Sequence, residues 1–240
     1  MLLRAMTTTV AAEEYVAAMS VRESDRRARA AFQALAGQLM APSSCLLDFG
    51  CGPGIDAKWY ASHGLRVLAY DVDPQMCAAL AKLCAPEIAS GAILPHRGSY
   101  REFLGRHVPE IRERYSVELV TANFAPLNLI EDPHELFGGL HALTAPNAKF
   151  LASVLSPNFI GDMQYGWWWA NRVEYLRKGH FSVAGSPFRI FRRSVADFAA
   201  RAAPYFELTR ALRGLPGTRP WSGRLALATS QYTFLLFEKR

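Results

Sequence analysis

The sequence predicts an α/β protein with a doubly wound, mostly parallel sheet of seven strands flanked by helices. Three observations predict it. The apolar run Leu46-Leu47-Asp48-Phe49 breaks into Gly50-Cys51-Gly52-Pro53-Gly54, a loop with glycine at every second position. About twenty residues on, Val67-Leu68-Ala69-Tyr70 forms a second apolar run that also ends in a carboxylate, Asp71. From there, runs of strand length alternate with helical patterns almost to the end of the chain.

The elements follow in order. Met1 to about Thr9 is expected to be a frayed end. Val10 to Met19 suits a helix, and Ser20-x-x-Glu23 is a capping box opening a second helix to about Met40. Ala31, Phe32, Leu35, Leu39 and Met40 mark its buried side, and Pro42 ends it. After the glycine loop, Asp56 to His63 reads as a helix closed by Gly64, and Pro74 opens another that carries Met76, Leu80 and Leu83 inward. Ala92 to Pro95 is a third strand, and Ser99-x-x-Glu102 is another capping box. Val117 to Phe124 is the fourth strand with its tip, and Asp132-Pro133-x-Glu135 opens a helix to Leu143. In the turn Thr144–Lys149, Asn147 can take a positive φ; Phe150 to Leu155 is the fifth strand.

Residues 156–193 fit no simple sheet element and form an aromatic-rich insertion containing Tyr165, Trp167, Trp168, Trp169, Tyr175, His180 and Phe181. Ser194-x-x-Asp197 caps a further helix to about Ala203. Phe206 to Arg210 and Tyr232 to Phe237 supply the last two strands, separated by Gly214 to Gly223 with Pro216, Pro220 and Trp221. The chain thus reads as one domain, 1–240, with residues 1–41 as cap helices and 156–193 as a second cap.

Composition excludes more than it selects. At 240 residues the chain can bury a sizeable core, and half its residues are hydrophobic. The net charge of +6 is carried by scattered arginines, without the basic stripe of a nucleic-acid reader. Cys45, Cys51, Cys77 and Cys84 form no C-x-x-C pair and have no histidine at ligand spacing, so no metal site is expected. They read as small buried residues of a reducing compartment. With no secretory core near the start and no run of about eighteen apolar residues, a soluble cytoplasmic protein without membrane contact is the expectation.

A strand, a tight glycine turn, a helix and a strand ending in an acid make a nucleotide-binding half-unit. The glycines let the backbone turn sharply and approach a ligand. A dinucleotide fingerprint needs a third glycine where this chain has Ile55. Instead, Asp48-Phe49-Gly50-Cys51-Gly52-Pro53-Gly54 resembles the first motif of the class I S-adenosylmethionine (SAM)-dependent methyltransferases. Tyr70-Asp71-Val72-Asp73-Pro74-Gln75-Met76 resembles that family's acidic loop after the second strand. The resemblance implies a Rossmann-like methyltransferase fold with an antiparallel last strand, and SAM as cofactor with no metal. It implies that Asp48 and the backbone of Gly50, Cys51, Gly52 and Gly54 cradle the amino-acid part and the ribose. Asp71 would take the ribose hydroxyls, with Val72 and Met76 near adenine. Gly98, Ser99 and Tyr100 would line the base, and Asn123 and Phe124 would approach the methionine moiety. Two details depart from the family: Ser99 stands where an acid usually meets the adenine amino group, and Pro146-Asn147-Ala148 replaces a P-G-G turn. Helices before the first strand commonly cover the cofactor in this family, so Tyr15 and Arg22 could reach its carboxylate. A helix-packing tyrosine and a surface arginine are the plainer readings.

Methyl transfer from a sulfonium is an in-line displacement, in which orientation supplies most of the acceleration and a base is needed only when the acceptor must lose a proton. The implied function is methylation of an O, N or C atom of a small aromatic or heterocyclic metabolite, of the kind found in secondary metabolism. Asn128, Tyr165, Trp167 and Trp168 are the candidate acceptor contacts and His180 the candidate base. His134 and His141 share a helix and fit surface or packing roles. The tryptophan triplet is either a cap on the sheet edge or an aromatic wall around a planar acceptor. The alternatives are an RNA methyltransferase, a nicotinamide-dependent oxidoreductase and a non-catalytic SAM-binding protein. Asn123-Phe124-Ala125-Pro126 lacks the N-P-P-aromatic form of amino-methylating DNA enzymes.

Overall fold

The structure is a computed structural model, and it describes residues 23–41, 44–157, 163, 166–182, 189–213 and 231–240. The expected first helix, Ser20, Tyr15, Arg22, Tyr165 and the 214–223 connection lie outside the described residues, as does the side chain of Trp167.

Nine strands and the helices between them are described. The main sheet uses β1 (Cys45–Phe49), β2 (Arg66–Asp71), β3 (Ile93–Arg97), β4 (Val117–Ala122), β5 (Thr144–Leu155), β8 (Phe206–Arg213) and β9 (Tyr232–Lys239). Their spatial order is β3-β2-β1-β4-β5-β9-β8. The first five are mutually parallel, and β9 runs antiparallel between β5 and β8. The seven strands and the reversed last strand are therefore as expected. β6 (Phe181–Ser182) and β7 (Arg189–Ile190) form a small separate hairpin inside the insertion, which the sequence reading did not resolve.

Strand residues alternate between two buried faces. On one, Leu46, Val67, Leu119, Leu151 and Phe234 meet the helices α1 (Glu23–Leu39), α2 (Ile55–Ser62) and α3 (Pro74–Leu83). The next element, α4 (Ala85–Ala89), is a short turn leading to β3. On the other face, Leu47, Leu68, Val120, Phe150 and Phe237 meet a second helical layer. There α5 (Tyr100–Glu102) passes through a π turn at Phe103–His107 into α6 (Val108–Arg114), beside α7 (Pro133–Leu143). α8 (Gly166–Lys178) belongs to the insertion and α9 (Val195–Ala202) packs on α7. A sheet covered on both sides explains why its strands read as continuous apolar runs.

Local chemistry behaves as expected at the caps. Ser99 accepts the Glu102 N–H and Ser194 the Asp197 N–H, while Asp73 and Asp132 cap α3 and α7 ahead of a proline. Asn147 does take a positive φ, +63°, but as a kink inside a β5 that begins at Thr144 rather than Phe150. The buried stripe of α1 is rotated from the expected one: Asp25, Ala28, Phe32 and Ala36 face the sheet, and Ala31, Leu35, Leu39 and Met40 are only partly covered. Alanines at 28 and 36 let the helix lie close, with Phe32 edge-on to Phe234 at 5.8 Å. Among the described residues, no helix is long and apolar enough to cross a membrane.

Candidate active site

The strand order reverses between β1 and β4, and the carboxyl ends of β1, β2 and β4 open there into a crevice, the usual ligand position in such sheets. The loop 50–54 forms its floor. Gly50, Gly52 and Gly54 have φ of +73°, +55° and +87°. A Cβ on Gly50 would meet Pro126 at 2.6 Å, and one on Gly54 would meet Leu80 Cδ1 at 2.2 Å. A Cβ on Gly52 would meet nothing within 4 Å. Gly50 and Gly54 are therefore fixed by packing as well as by the turn, whereas Gly52 faces open space where a ligand can approach the backbone.

Two carboxylates organise the loop. Asp71 Oδ2 accepts the Gly52 N–H at 2.7 Å and Oδ1 accepts the Asp73 N–H at 2.9 Å, so the acid at the β2 tip holds the middle glycine. Burial raises the Asp71 pKa, against the pull of these N–H donors. Asp48 is buried, with Oδ1 accepting from Thr121 Oγ1 at 3.0 Å and Oδ2 lacking a partner among the described residues. Burial, reinforced by the neighbouring Asp56 carboxylate, pushes Asp48 up to about 8.

α1 supplies the roof. Its Arg29 pairs with Asp56 at the start of α2 and stands over the Phe124 ring, 4.5 Å from the centroid. Gln33 Nε2 donates to Asp56 at 2.8 Å and Asn123 Nδ2 donates at 3.1 Å. Beneath the roof lies a cavity of about 20 Å³, bounded by Arg29, Asp48, Cys51, Gly52, Asn123 and Phe124. That is room for about one water, so a ligand on the loop has to lift Arg29. Phe124 and Ala125 at the β4 tip have φ of +60° and +66°, unusual for residues with a Cβ. Ser153 on β5 holds them there, accepting the Phe124 N–H at 2.7 Å. Such strain held in place is common at binding sites.

The other sequence candidates divide. Val72 is 43% exposed on the rim, and Met76 is partly buried beside it. Tyr70 Oη donates to the Gly98 carbonyl at 2.9 Å, setting the next loop against β2. The Ser99 side chain is used as a helix cap, and the Tyr100 hydroxyl is turned to Glu135 at 2.9 Å. Glu102 folds back so that its Oε2 would stand 2.8 Å from a Cβ on Gly98. An acid is thus present beside Gly98, although not at position 99. The Cys51 thiol is buried, and burial together with the neighbouring Asp71 pushes it well above its ordinary pKa.

On the acceptor side, Asn128 needs correction. It is fully buried, its Nδ2 donating to Phe191 O at 2.7 Å and its Oδ1 accepting the Leu155 N–H at 2.9 Å, so it staples the insertion to β5 and cannot reach a substrate. His180 rests against Phe191 with Nδ1 3.1 Å from the Lys178 carbonyl. It lines neither the crevice nor the cavity behind Trp168. Trp168 lines that second cavity, while Trp169 is 54% exposed and donates its indole N–H to Met163 O. His134 packs on Tyr205 and contacts the Arg201 carbonyl on the far helical layer. His141 borders a groove of about 690 Å³ at the opposite end of β4 and β5, with Arg112 and Lys239. That groove is larger than the crevice but remote from the glycine loop.

Arg29, Asp56 and Glu102 were missed by the sequence reading. No local spacing marked Arg29 out: its neighbours Arg26 and Arg27 pair with Glu23 on the exposed side of α1.

A doubly wound sheet with a glycine cradle at its switch point and acids at both flanking strand tips defines a ligand-binding α/β domain of nucleotide type. The chain belongs to the methyltransferase-domain family, whose model matches residues 20–187. Solved structures agree on the fold. A SAM-dependent methyltransferase from Mesorhizobium loti is 18% identical, with 85% of this chain and 95% of that one covered and a TM-score of 0.57. A putative SAM-dependent methyltransferase from Listeria monocytogenes is 15% identical over 88% and 99%, at 0.62. The CcbJ methyltransferase from Streptomyces caelestis is 16% identical over 92% of each chain, also at 0.62. No curated protein matches the chain significantly.

Proposed function

We propose that the chain is a SAM-dependent methyltransferase acting on an O, N or C atom of a small aromatic or heterocyclic acceptor. The observation that carries the donor assignment is Asp71 bonded to the N–H of a Gly52 that faces open space. The residues suit the cofactor's parts. The unpartnered Asp48 Oδ2 suits an ammonium, Arg29 suits a carboxylate, and Asp71 retains lone pairs for hydroxyls. When bound, the cofactor supplies an electrophilic methyl on sulfonium. The chain's part is orientation: the tip at Phe124 and Ala125, held at positive φ by Ser153, fixes the donor end of the crevice. The insertion is the acceptor side, because Asn128 and Phe191 fasten it to the tips of β4 and β5. His180, the base expected from the sequence, lies outside both cavities, so this reading routes no proton through it, and His180→Gln should leave methyl transfer unchanged. Assignment to secondary metabolism, a soluble cytoplasmic location and independence from nucleic acid and membrane go with the same proposal.

Thermal denaturation with S-adenosylhomocysteine (SAH) and with NAD tests it. SAH at about 100 times its Kd adds roughly 2.7 kcal/mol, and NAD adds nothing. Stabilisation by NAD alone would refute the donor assignment.

A further inference from the structure

Two buried carboxylates meet behind the glycine loop and share one guanidinium. Asp56, at the start of α2, accepts from Arg29 and Asn123 on Oδ2 and from Gln33 on Oδ1. The positive charge that α1 brings is occupied there. Asp48 on β1 is only 2% exposed and has one hydrogen bond at 3.0 Å, from the Thr121 hydroxyl to Oδ1. Its Oδ2 is buried with no hydrogen-bond partner among the described residues, and Asp48 borders the cavity beneath the Arg29 roof. The other described groups that face Asp48 supply no second cation: they are Tyr60 of α2, Asp71 at the β2 tip, Cys51 of the loop and Cys84 after α3. Burial and the Asp56 carboxylate hold a proton on Asp48 up to about 8.

Charge balance decides what a cationic ligand does here. In the chain alone, a guanidinium and a proton offset the two acids. An ammonium set against Asp48 Oδ2 brings a further positive charge, and its N–H groups compete with the acid's own O–H for the same carboxylate. An ionised acceptor holds an ammonium far better than a neutral acid does. The proton therefore goes to solvent, and the neutral acid becomes one half of an ion pair. Resting on the proposed function, we propose that Asp48 reads the cofactor's amino group by exchanging a proton for it, so that binding of the donor releases a proton. Affinity for the donor then rises with pH through the neutral range, by up to about tenfold per unit, while the stability of the protein alone falls.

Calorimetric titration of the full chain with SAH tests this, run near pH 6.8 in phosphate and in imidazole, whose different ionisation heats count the protons released. That pH lies below the range in which an α-amino group titrates, about 7.7–8.0. The control ligand is 5′-methylthioadenosine, which keeps the adenosine and the thioether but has no amino group, so any proton lost at Asp71 appears with both ligands. SAH is expected to release close to one proton more than the control, and its Kd to fall by about tenfold from pH 6 to pH 7. Asp48→Asn, which copies the neutral acid, should abolish the extra proton and weaken SAH by about tenfold or more, with the control ligand unaffected. The wild-type proton count stands whether or not the variant folds. Equal counts for the two ligands, an SAH affinity independent of pH, or an extra proton that survives Asp48→Asn would overturn the inference. Failure of SAH to bind the folded wild type would strike the donor assignment as well, whereas binding without the extra proton would strike only the exchange at Asp48.

Discussion

Asp71 has two jobs that the sequence shows as one. Its place after β2 points to ligand hydroxyls, yet both oxygens already hold backbone N–H groups of the loop and of α3. Asp71→Ala should therefore lose about 1–3 kcal/mol of stability as well as ligand affinity. Asp71→Asn keeps an acceptor and should separate the two effects, as urea denaturation beside SAH titration will show. Asp48 gives a pH signature. Its folded pKa is raised from 3.8 to about 8 by burial and by Asp56. Between those values the folded state holds a proton that the unfolded chain has released, so stability falls as pH rises through that window. Asp71 is shifted in the same direction. The melting temperature should drop between pH 6 and pH 8.5, and Asp48→Asn should flatten the drop; a flat wild-type profile would contradict the burial argument. The motif residues were legible because their spacing is local. Arg29 and Asp56 were not, because their pairing spans 27 positions and depends on how α1 is rotated.

At the scale of elements, the glycine loop combines a folding requirement with a binding one. Gly54→Ala drives a methyl into Leu80 at positive φ and should cost roughly 2–5 kcal/mol. Gly52→Ala meets open space, so its stability cost is only the backbone term, about 1–2 kcal/mol, while its Cβ intrudes on the ligand's approach. Chemical denaturation and SAH titration of both variants should thus give opposite rankings. Equal losses of stability would show that the loop's openness at Gly52 is misassigned. Helix caps at Ser99, Asp132 and Ser194 were readable because a cap is a contact over two or three residues. The rotation of α1 was not, since hydropathy favours its leucines whereas close approach to the sheet favours Ala28 and Ala36. Asn128 misled for a related reason: polarity near a β4 tip suggests substrate, but its partners at 155 and 191 are distant in sequence.

For the whole molecule, β9 joins the two halves of the account, pairing with β5 beside the crevice and with β8 at the edge. Phe237 on it is fully buried among Phe137, Phe150 and Phe206. Phe237→Ala should cost about 3–5 kcal/mol, measured by denaturation, with little change in SAH affinity while the protein stays folded. The seven strands and their doubly wound arrangement were legible because alternating elements and connection rules leave few topologies. The internal arrangement of the insertion was not, because it comes from arginine–aromatic contacts and carbonyl bonds that no periodicity encodes. On the proposed function, the loop Gly50–Gly54 with Asp71 holds the methyl donor. The most direct measurement is calorimetric titration of SAH into the wild type and Asp71→Asn. Saturable one-to-one binding, weakened about tenfold or more by the substitution, is the predicted result. Absence of SAH binding to a folded wild type, or equal affinity in both proteins, would contradict it.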